Sequence, residues 1–554
     1  MRQLLPLARA ILLLLAASAR AEMAPRPVVV TIVVDQLGAW IADDRLPRLP
    51  ETGGFARLRR EGTWLRDVRF AHGVTDTAPG HTALYTGAPP REAGIVANDM
   101  PGPDGEDVSV LFDPTTRLVG ADGPLEDAGR SLTALKTDTI ADRLRAERPD
   151  AWIVSVSLKD RAALFGGGRK PDAVLFFEAG LKAFVTSTAF TQVYPAWAHG
   201  LTPVRQAIDT PWEIEDAAWV REHAASPDDQ PGEGDLEGFG TTFPHRAAAS
   251  RSPGKAYRAT PASDEHLVAL ALAGLDAAPS KDRPVLLSLS LSAHDYVGHF
   301  FGPDSWEAWA YLRYLDGLLG RLLGELDRRF GADGYAVLLS ADHGVTPLLE
   351  LPGPCGKSDR WQRSCKGGER LIPKRISEEL RAAARKALGP GEWVTGLADP
   401  YVYLGADGRA LPVPERRKLL RLLDRTLRRT HRGIRETLET ARAPATCPPE
   451  SDESVPALRC RSIRPDWRGE LFVQAAPGSF FDSQYAPGKG TGHGTPQLHD
   501  RTVPVLVRAP GRVAAGRVDD RPTSFRVFAR TASDLLGIAP PGAAAGAPTL
   551  VLSR

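Results

Sequence analysis

PVVVTIVVDQ, residues Pro27 to Gln36, is the stretch from which the fold can be read. Valine and isoleucine fill Val28 to Val34 except at Thr31, with no alternation before Asp35. A run with apolar residues on both faces leaves no face for water, so the strand is buried on both sides, as in a parallel sheet covered by helices. The pattern recurs. AWIVSVSLKDR (151–161) ends at Lys159 and Arg161, VLLSLSLSAHD (285–295) at Asp295, and YAVLLSADHG (335–344) at Asp342 and His343. TVPVLVRAPG (502–511) follows soon after GTGHGT (490–495). Helical patterns lie between these runs. In residues 306–330, Leu312, Leu315, Leu319, Leu322 and Leu326 form one apolar face, and SFRVFARTASDLLG (524–537) reads as a final covering helix. The expectation is an α/β chain with a mostly parallel central sheet and helices on both faces. Ligands bind such sheets at the carboxyl ends of the strands, where these polar residues stand.

The bulk properties restrict the function. The 554 residues are 42% hydrophobic and 25% charged, with a formal charge of +1. That is ordinary globular composition with no electrostatic footprint for nucleic acid as a specific partner. MRQLLPLARAILLLLAASARAE begins with basic residues, continues with a short apolar run and reaches Ala19-Arg20-Ala21. Residues 1–21 therefore read as a cleavable signal peptide, too short in its apolar part to span a membrane. Its removal takes three arginines and no acid, leaving a charge of −2. A periplasmic or secreted protein without stable membrane insertion is expected, and a monomer. The four cysteines suit export. Three connectivities are possible, and local closure favours Cys355–Cys365 and Cys447–Cys460; neither pair has the CxxC spacing of a zinc site.

Residues 22–554 read as one catalytic domain interrupted near 200–260 and 350–480 by segments that break the strand–helix alternation, expected to be caps. The second contains ERRKLLRLLDRTLRRTHRG (415–433), read as a helix with Leu419, Leu422, Leu423 and Leu427 turned inward and its basic face solvated.

Strand ends and nearby loops supply three aspartates and three histidines: Asp35, Asp295, His299, Asp342, His343 and His493. Imidazole nitrogen and carboxylate oxygen without thiolate suit catalytic zinc. Six ligands suit two ions that clamp the attacking and leaving oxygens of a phosphoryl transfer. Each piece alone is weak; their joint appearance after successive apolar strands is the signal. TDTAPGHTALYTG (75–87) adds a hydroxyl. With Pro79 read as the first helical residue, Thr77 lies at a helix start, where N–H groups favour an anion. It also suits an N-cap, which is compatible with a nucleophile. Asn98 could donate its amide to a phosphoryl oxygen. Lys159 and Arg161, two apart at a strand end, could project to one side and stabilise a dianionic monoester.

Taken together, VVDQL, TDTAPGHTALYTG, GIVAND, SLKDRAAL, AHDYVGH, SADHG and GTGHGTP resemble, in order and spacing, the alkaline phosphatase superfamily over nearly the whole mature chain. They are most similar to the bacterial phosphate-irrepressible alkaline phosphatases with a threonine nucleophile. The resemblance implies an alkaline-phosphatase-like fold and a hydrolase of small phosphate monoesters with two Zn2+ per chain. Asp295, His299 and His493 would hold one zinc; Asp35, Asp342 and His343 would hold the other, with Thr77 as its alkoxide. Thr77 would form a phosphothreonine, hydrolysed by water from the first zinc, while Asn98, Lys159 and Arg161 hold the phosphoryl oxygens. The Lys/Arg pair separates this type from the sister phosphodiesterases and nucleotide pyrophosphatases, the alternative reading. Ala93-Gly94-Ile95 stands where relatives often have His-Gly-Ile. No magnesium ligand set of the serine-type enzymes is evident, and no CxPxR or SxPxR motif of sulfatases surrounds Thr77.

Overall fold

In the computed structural model, which describes residues 27–201, 204–280, 282–351, 360–363, 368–482 and 485–552, the opening run forms β1 (Val28–Val34), buried along its whole length. It lies between β8 (Val285–Leu291) and β9 (Ala336–Ser340), parallel to both. β8 continues in parallel to β5 (Trp152–Ser157), and β5 to β6 (Ala173–Glu178). These strands carry the largely apolar runs, and they form the centre of a 12-stranded sheet.

The flanks are antiparallel, so the sheet is mixed. Beyond β6 come β7 (Ala183–Ser187), β3 (Phe112–Gly120) and β4 (Gly123–Arg130). β3 and β4 are largely exposed or half-buried, apart from the buried end of β3 at Leu118 to Gly120, as suits a sheet margin. On the other flank β14 (Thr502–Arg508) runs antiparallel to β9 and to β2 (Thr63–Arg69), and β15 (Arg517–Asp519) closes the edge alongside β2. The reversed direction of β14 matters for the site. Its first residue lies at the carboxyl ends of β1 and β9, so the preceding GTGHGT segment is delivered to the edge where Asp35 and Asp342 emerge.

Helices cover the sheet, with α3 (Pro261–Asp276) against β5 and β8. In α5 (Trp306–Phe330) all five leucines of the apolar stripe are buried, and α8 (Arg526–Leu536) packs on β1 and on α1 (Thr77–Thr86). At roughly 25 cal/mol per Å2 of apolar surface, each buried leucine contributes about 1.5–3 kcal/mol.

Residues 371–475 build a second, smaller layer with its own apolar cluster. Its sheet has the order β10 (Val394–Ala398), β11 (Tyr401–Leu404), β13 (Leu471–Ala475), β12 (Ile434–Glu439), all antiparallel. α6 (Pro373–Leu388) and α7 (Val413–Thr430) cover it. In α7, Leu419, Leu420, Leu423 and Leu427 face inward; Leu422, expected among them, is half-buried at the edge of the cluster. Residues 204–257 form short helices and loops against α5, with Trp219 on Trp309 and Arg313 bonded to Asp216 at 2.9 Å. Cys447 and Cys460 form a disulfide. The proposed Cys355–Cys365 pair and the leader at 1–21 lie outside the described residues. No helix among the described residues is long and apolar enough to cross a membrane.

Candidate metal and phosphoryl centre

The strand ends converge as the topology requires. Asp35 leaves β1, Asp342 and His343 leave β9, and Asp295 and His299 stand in α4 (Ala293–Phe301) after β8. The two residues of α4 are one helical turn apart, with His299 Nε2 3.2 Å from Asp295 Oδ1. His493 comes in from the segment before β14, its Nε2 3.6 Å from the same Asp295 oxygen. All six side chains are buried.

Each histidine is oriented in the same way. Nδ1 of His343 faces Gly344 O at 2.9 Å, Nδ1 of His299 faces Thr491 O at 2.8 Å, and Nδ1 of His493 faces Thr75 O at 2.9 Å. A carbonyl accepts only a proton, so each Nδ1 carries the hydrogen and each Nε2 is turned to the centre, the second contact that orients a metal-binding imidazole. The carboxylates match. Among the described residues, neither Asp35 oxygen nor Asp342 Oδ2 accepts a well-directed hydrogen bond, although Lys159 Nζ lies 2.7 Å from Asp35 Oδ2. Buried carboxylate oxygens without donors are costly unless a cation satisfies them.

Among the described residues, two groups have ligand atoms within 4.8 Å of one another: Asp295, His299 and His493; and Asp35, Asp295 and His343. The first is the set inferred for one ion. In the second, Asp295 stands where the sequence reading placed Asp342. Asp342 Oδ2 lies 3.4 Å from His343 Nε2 and 3.0 Å from His81 Nδ1, while its Oδ1 accepts from Gln36 N at 3.2 Å. Residues of this donor set fit divalent ions of the zinc kind.

The electrostatics follow from this crowding. Burial is the largest influence on Asp35 and raises its pKa well above the carboxylate range, with Asp342 adding to the effect against Lys159. Asp295 is likewise opposed by burial, yet His299 and Lys159 hold it well below that range. Burial pushes His343 down to about 3, keeping it neutral. For Lys159 burial disfavours the charge, but Asp295 and Asp35 outweigh it and raise its pKa.

The helix start differs from the sequence reading. α1 begins at Thr77, Asp76 is the N-cap residue without a side-chain capping bond, and Pro79 is the third helical residue, not the first. The hydroxyls sort themselves out by their partners. Thr75 donates to Thr495 O, Thr82 to Ala78 O and Thr86 to Thr82 O. Thr77 Oγ1 instead lies 3.1 Å from Lys159 Nζ and 3.4 Å from His343 Nε2. Asn98 Oδ1 accepts from Ala78 N at 2.8 Å, which leaves its amide N–H2 as the donor for the pocket that Asn98 lines. Helix α1 can come this close because of Gly80, where a Cβ would stand 2.1 Å from Asp342 O.

Lys159 and Arg161 also reach the pocket, though not as a strand pair. β5 ends at Ser157; Lys159 caps α2 (Asp160–Gly167) and Arg161 sits in its first turn. Burial opposes the charge of Arg161, while Asp99 and Asp160 raise its pKa. Asp160 is itself held by Arg130 at 2.9 Å. The pocket has a volume of 120 Å3 and is lined by Thr77, Asn98, Lys159, Arg161, Asp295 and His493, among others. Larger cavities, of 660 and 300 Å3, lie away from the histidines.

The sequence reading passed over several supporting residues. Gln36 adopts φ 68° and donates from Nε2 to Asp295 Oδ1 at 2.8 Å. Asp76 Oδ1 lies 3.2 Å from His493 Nδ1. His294 Nδ1 meets Asp35 O at 2.9 Å. His81 contacts Thr77 O through Nδ1 and Ser290 Oγ through Nε2.

A mixed sheet with carboxylates and imidazoles gathered at its carboxyl edge, beside a helix-start hydroxyl, defines an alkaline-phosphatase-like α/β protein with a candidate bimetal centre. The profile of the type I phosphodiesterase / nucleotide pyrophosphatase family matches residues 29–353, more than half of the chain. The chain belongs to that family, within the alkaline phosphatase superfamily. It is 28% identical over 550 residues to alkaline phosphatase PafA of Elizabethkingia meningoseptica, covering 96% of this chain and 95% of that protein. It is 29% identical over 502 residues to alkaline phosphatase PhoK of a Sphingomonas species, covering 87% and 83%. The crystal structure of wild-type alkaline phosphatase PafA superposes with a TM-score of 0.78 at 24% identity, covering 95% of this chain and 98% of that one, and so shares the fold.

Proposed function

We propose that the chain is an exported, zinc-dependent hydrolase of small phosphate monoesters that works through a covalent phosphothreonine. The observation that carries this is the position of Thr77: alone among the four threonines of its segment, its hydroxyl faces a buried ammonium and a neutral imidazole instead of a backbone carbonyl. The relatives named alkaline phosphatases, matched over most of their length, support it.

Two Zn2+ held by Asp295, His299 and His493, and by Asp35, Asp342 and His343 with Asp295 alongside, would supply the positive charge that favours the Thr77 alkoxide and the leaving oxygen. Thr77 Oγ attacks phosphorus, the phosphorus–oxygen bond to the leaving group breaks, and the departing alkoxide takes a proton. Water then cleaves the phosphothreonine to regenerate the hydroxyl and release inorganic phosphate. Asn98 donates its amide to a non-bridging oxygen, and Lys159 and Arg161 offset the negative charge that gathers there. Gln36, Asp76 and His81 hold ligands in place. Residues 371–475 serve as a cap, and the leader at 1–21, with the Cys447–Cys460 disulfide, fits an oxidising compartment. The competing reading is a phosphodiesterase, which the family's description keeps in view.

The test is turnover of p-nitrophenyl phosphate by wild type and Thr77→Ala, with zinc content measured on both. Zinc in both proteins, chelator-sensitive turnover in the wild type and a loss of at least about a thousandfold in the variant are expected. Undiminished turnover by Thr77→Ala would remove the phosphothreonine from the mechanism.

A further inference from the structure

A trough leads out of the phosphoryl pocket along one face of α6. The pocket wall at Asp107 and Pro373 is shared with a cavity of 210 Å3 that continues past Ser377 to Arg381. Arg381 and Thr395 are shared in turn with the 660 Å3 groove, which reaches Arg385. Pro373, Ser377, Arg381 and Arg385 follow one another at four-residue intervals, so they stack on one side of the helix. At 1.5 Å per residue, the helix between the first and the last is about 18 Å long.

The far end has a definite chemistry. Arg381, Arg385, Arg409 and Arg468 line it, with Trp393 and Trp467. Each indole N–H is already committed, Trp393 to Gly389 O at 2.9 Å and Trp467 to Tyr403 Oη at 3.0 Å. What the rings offer the groove is therefore aromatic surface. The acids of the groove are Asp104, Glu392 and Glu470. Two of them are turned to backbone N–H groups, Asp104 to Glu106 N at 3.1 Å and Glu470 to Leu404 N at 2.9 Å. Arg381 and Arg409 are bonded to the carbonyls of Thr395 and Leu404, whereas Arg385 and Arg468 extend from exposed positions.

On the phosphomonoesterase reading, we propose that this trough seats the leaving group of an extended, aromatic and anionic phosphate monoester: a short 5′-phosphorylated oligonucleotide. The terminal phosphate occupies the pocket beside Thr77. Bases lie against the indole rings and guanidinium planes, which take any base face. A distal phosphodiester meets Arg385 and Arg468, guanidinium being the side chain best shaped for phosphate oxygens. A local cluster suffices, so the chain's small net charge is no obstacle. A mononucleotide does not fill the trough, so its benefit belongs to longer substrates.

The experiment compares kcat/KM for p-nitrophenyl phosphate, thymidine 5′-monophosphate and the 5′-phosphorylated thymidine trinucleotide in wild type and Arg385→Ala/Arg468→Ala. Both arginines are exposed, so the variant keeps its fold. The trinucleotide should lose roughly tenfold, mainly through KM, and the two small esters should stay within about twofold. In the wild type the trinucleotide-to-monophosphate ratio should fall as KCl is raised, and in the variant it should not. An unchanged ratio in the variant, or equal losses on all three substrates, would overturn the subsite while leaving the phosphomonoesterase reading intact. No turnover of p-nitrophenyl phosphate by the wild type would overturn both.

Discussion

On the phosphomonoesterase reading, replacing Lys159 and Arg161 together by alanine should abolish the preference for monoesters over diesters. A phosphate monoester dianion carries one more non-bridging negative charge than a diester. Two unit charges about 4 Å apart interact by about 4 kcal/mol at an effective dielectric constant of about 20. Lys159 is 4% exposed and feels most of that, whereas the Arg161 side chain, at 17%, feels less. Removing both should cost a monoester about 4–6 kcal/mol in the transition state, a loss of roughly a thousandfold to ten-thousandfold in kcat/KM. A diester, with less charge to lose, should fall by about ten- to a hundredfold, so the ratio drops about a hundredfold. The assay is kcat/KM for p-nitrophenyl phosphate against bis-p-nitrophenyl phosphate in wild type and double variant. Zinc must be measured on both proteins, because Lys159 Nζ also stands 2.7 Å from Asp35 and 2.6 Å from Asp295. Equal losses on the two substrates at equal zinc content would refute the assignment of these cations to the monoester's extra charge.

Gly80→Ala tests the close approach of α1 to Asp342. Alanine ordinarily favours a helix over glycine by about 0.5–1 kcal/mol, but here its Cβ would meet a backbone oxygen at 2.1 Å. A net destabilisation of about 1–3 kcal/mol with lowered zinc affinity is expected in thermal melts and metal titration; a raised Tm with normal zinc affinity would contradict it. His72 tests acid sensitivity away from the centre. It is fully buried between Phe70 and Phe525, its nitrogens have no hydrogen-bond partner among the described residues, and burial lowers its pKa from 6.5 to about 3. Between those values the unfolded chain binds a proton that the folded chain refuses, so stability falls as pH drops from 6.5 toward 3, by about 2 kcal/mol at pH 5. His72→Phe should lose less Tm than wild type between pH 7.5 and 5, and identical losses would remove His72 as a source of acid lability.

The central strands were legible because Val, Leu and Ile dominate β1, β5, β8 and β9, interrupted by small hydroxyl residues such as Thr31, Ser155 and Ser288, and each strand is buried almost from end to end. Their termini were therefore legible too, and with them Asp35, Asp295 and Asp342. β3 and β4 were not, since PTTR and GPLEDAG carry no continuous apolar run and are held by pairing at the margin of the sheet. The start of α1 was misplaced because Pro79 is a good first residue, yet the third helical N–H is equally unneeded by the helix. Lys159 and Arg161 converge through a helix start that a strand-parity argument does not contain. Asp76 and Gln36 could not be found locally. One acts on His493 and the other on Asp295, and both meetings exist only after the sheet has brought distant segments together.

The carbonyls that orient the histidines also set an order of events. His493 is aligned by Thr75, 418 residues earlier, and His299 by Thr491, 192 residues later. A chain folding from its N-terminus can assemble β1, β5, β8 and β9 long before Gly490 to Pro496 has emerged. Such an intermediate has Asp35 and His343 in place but lacks His493 and leaves His299 unaligned. Contacts this far apart in sequence form slowly, so completion of the centre reports completion of the fold. An N-terminal fragment ending before Gly490 would be a sheet with half a centre, and tight ion uptake by the growing chain would mark the moment its last strand arrives.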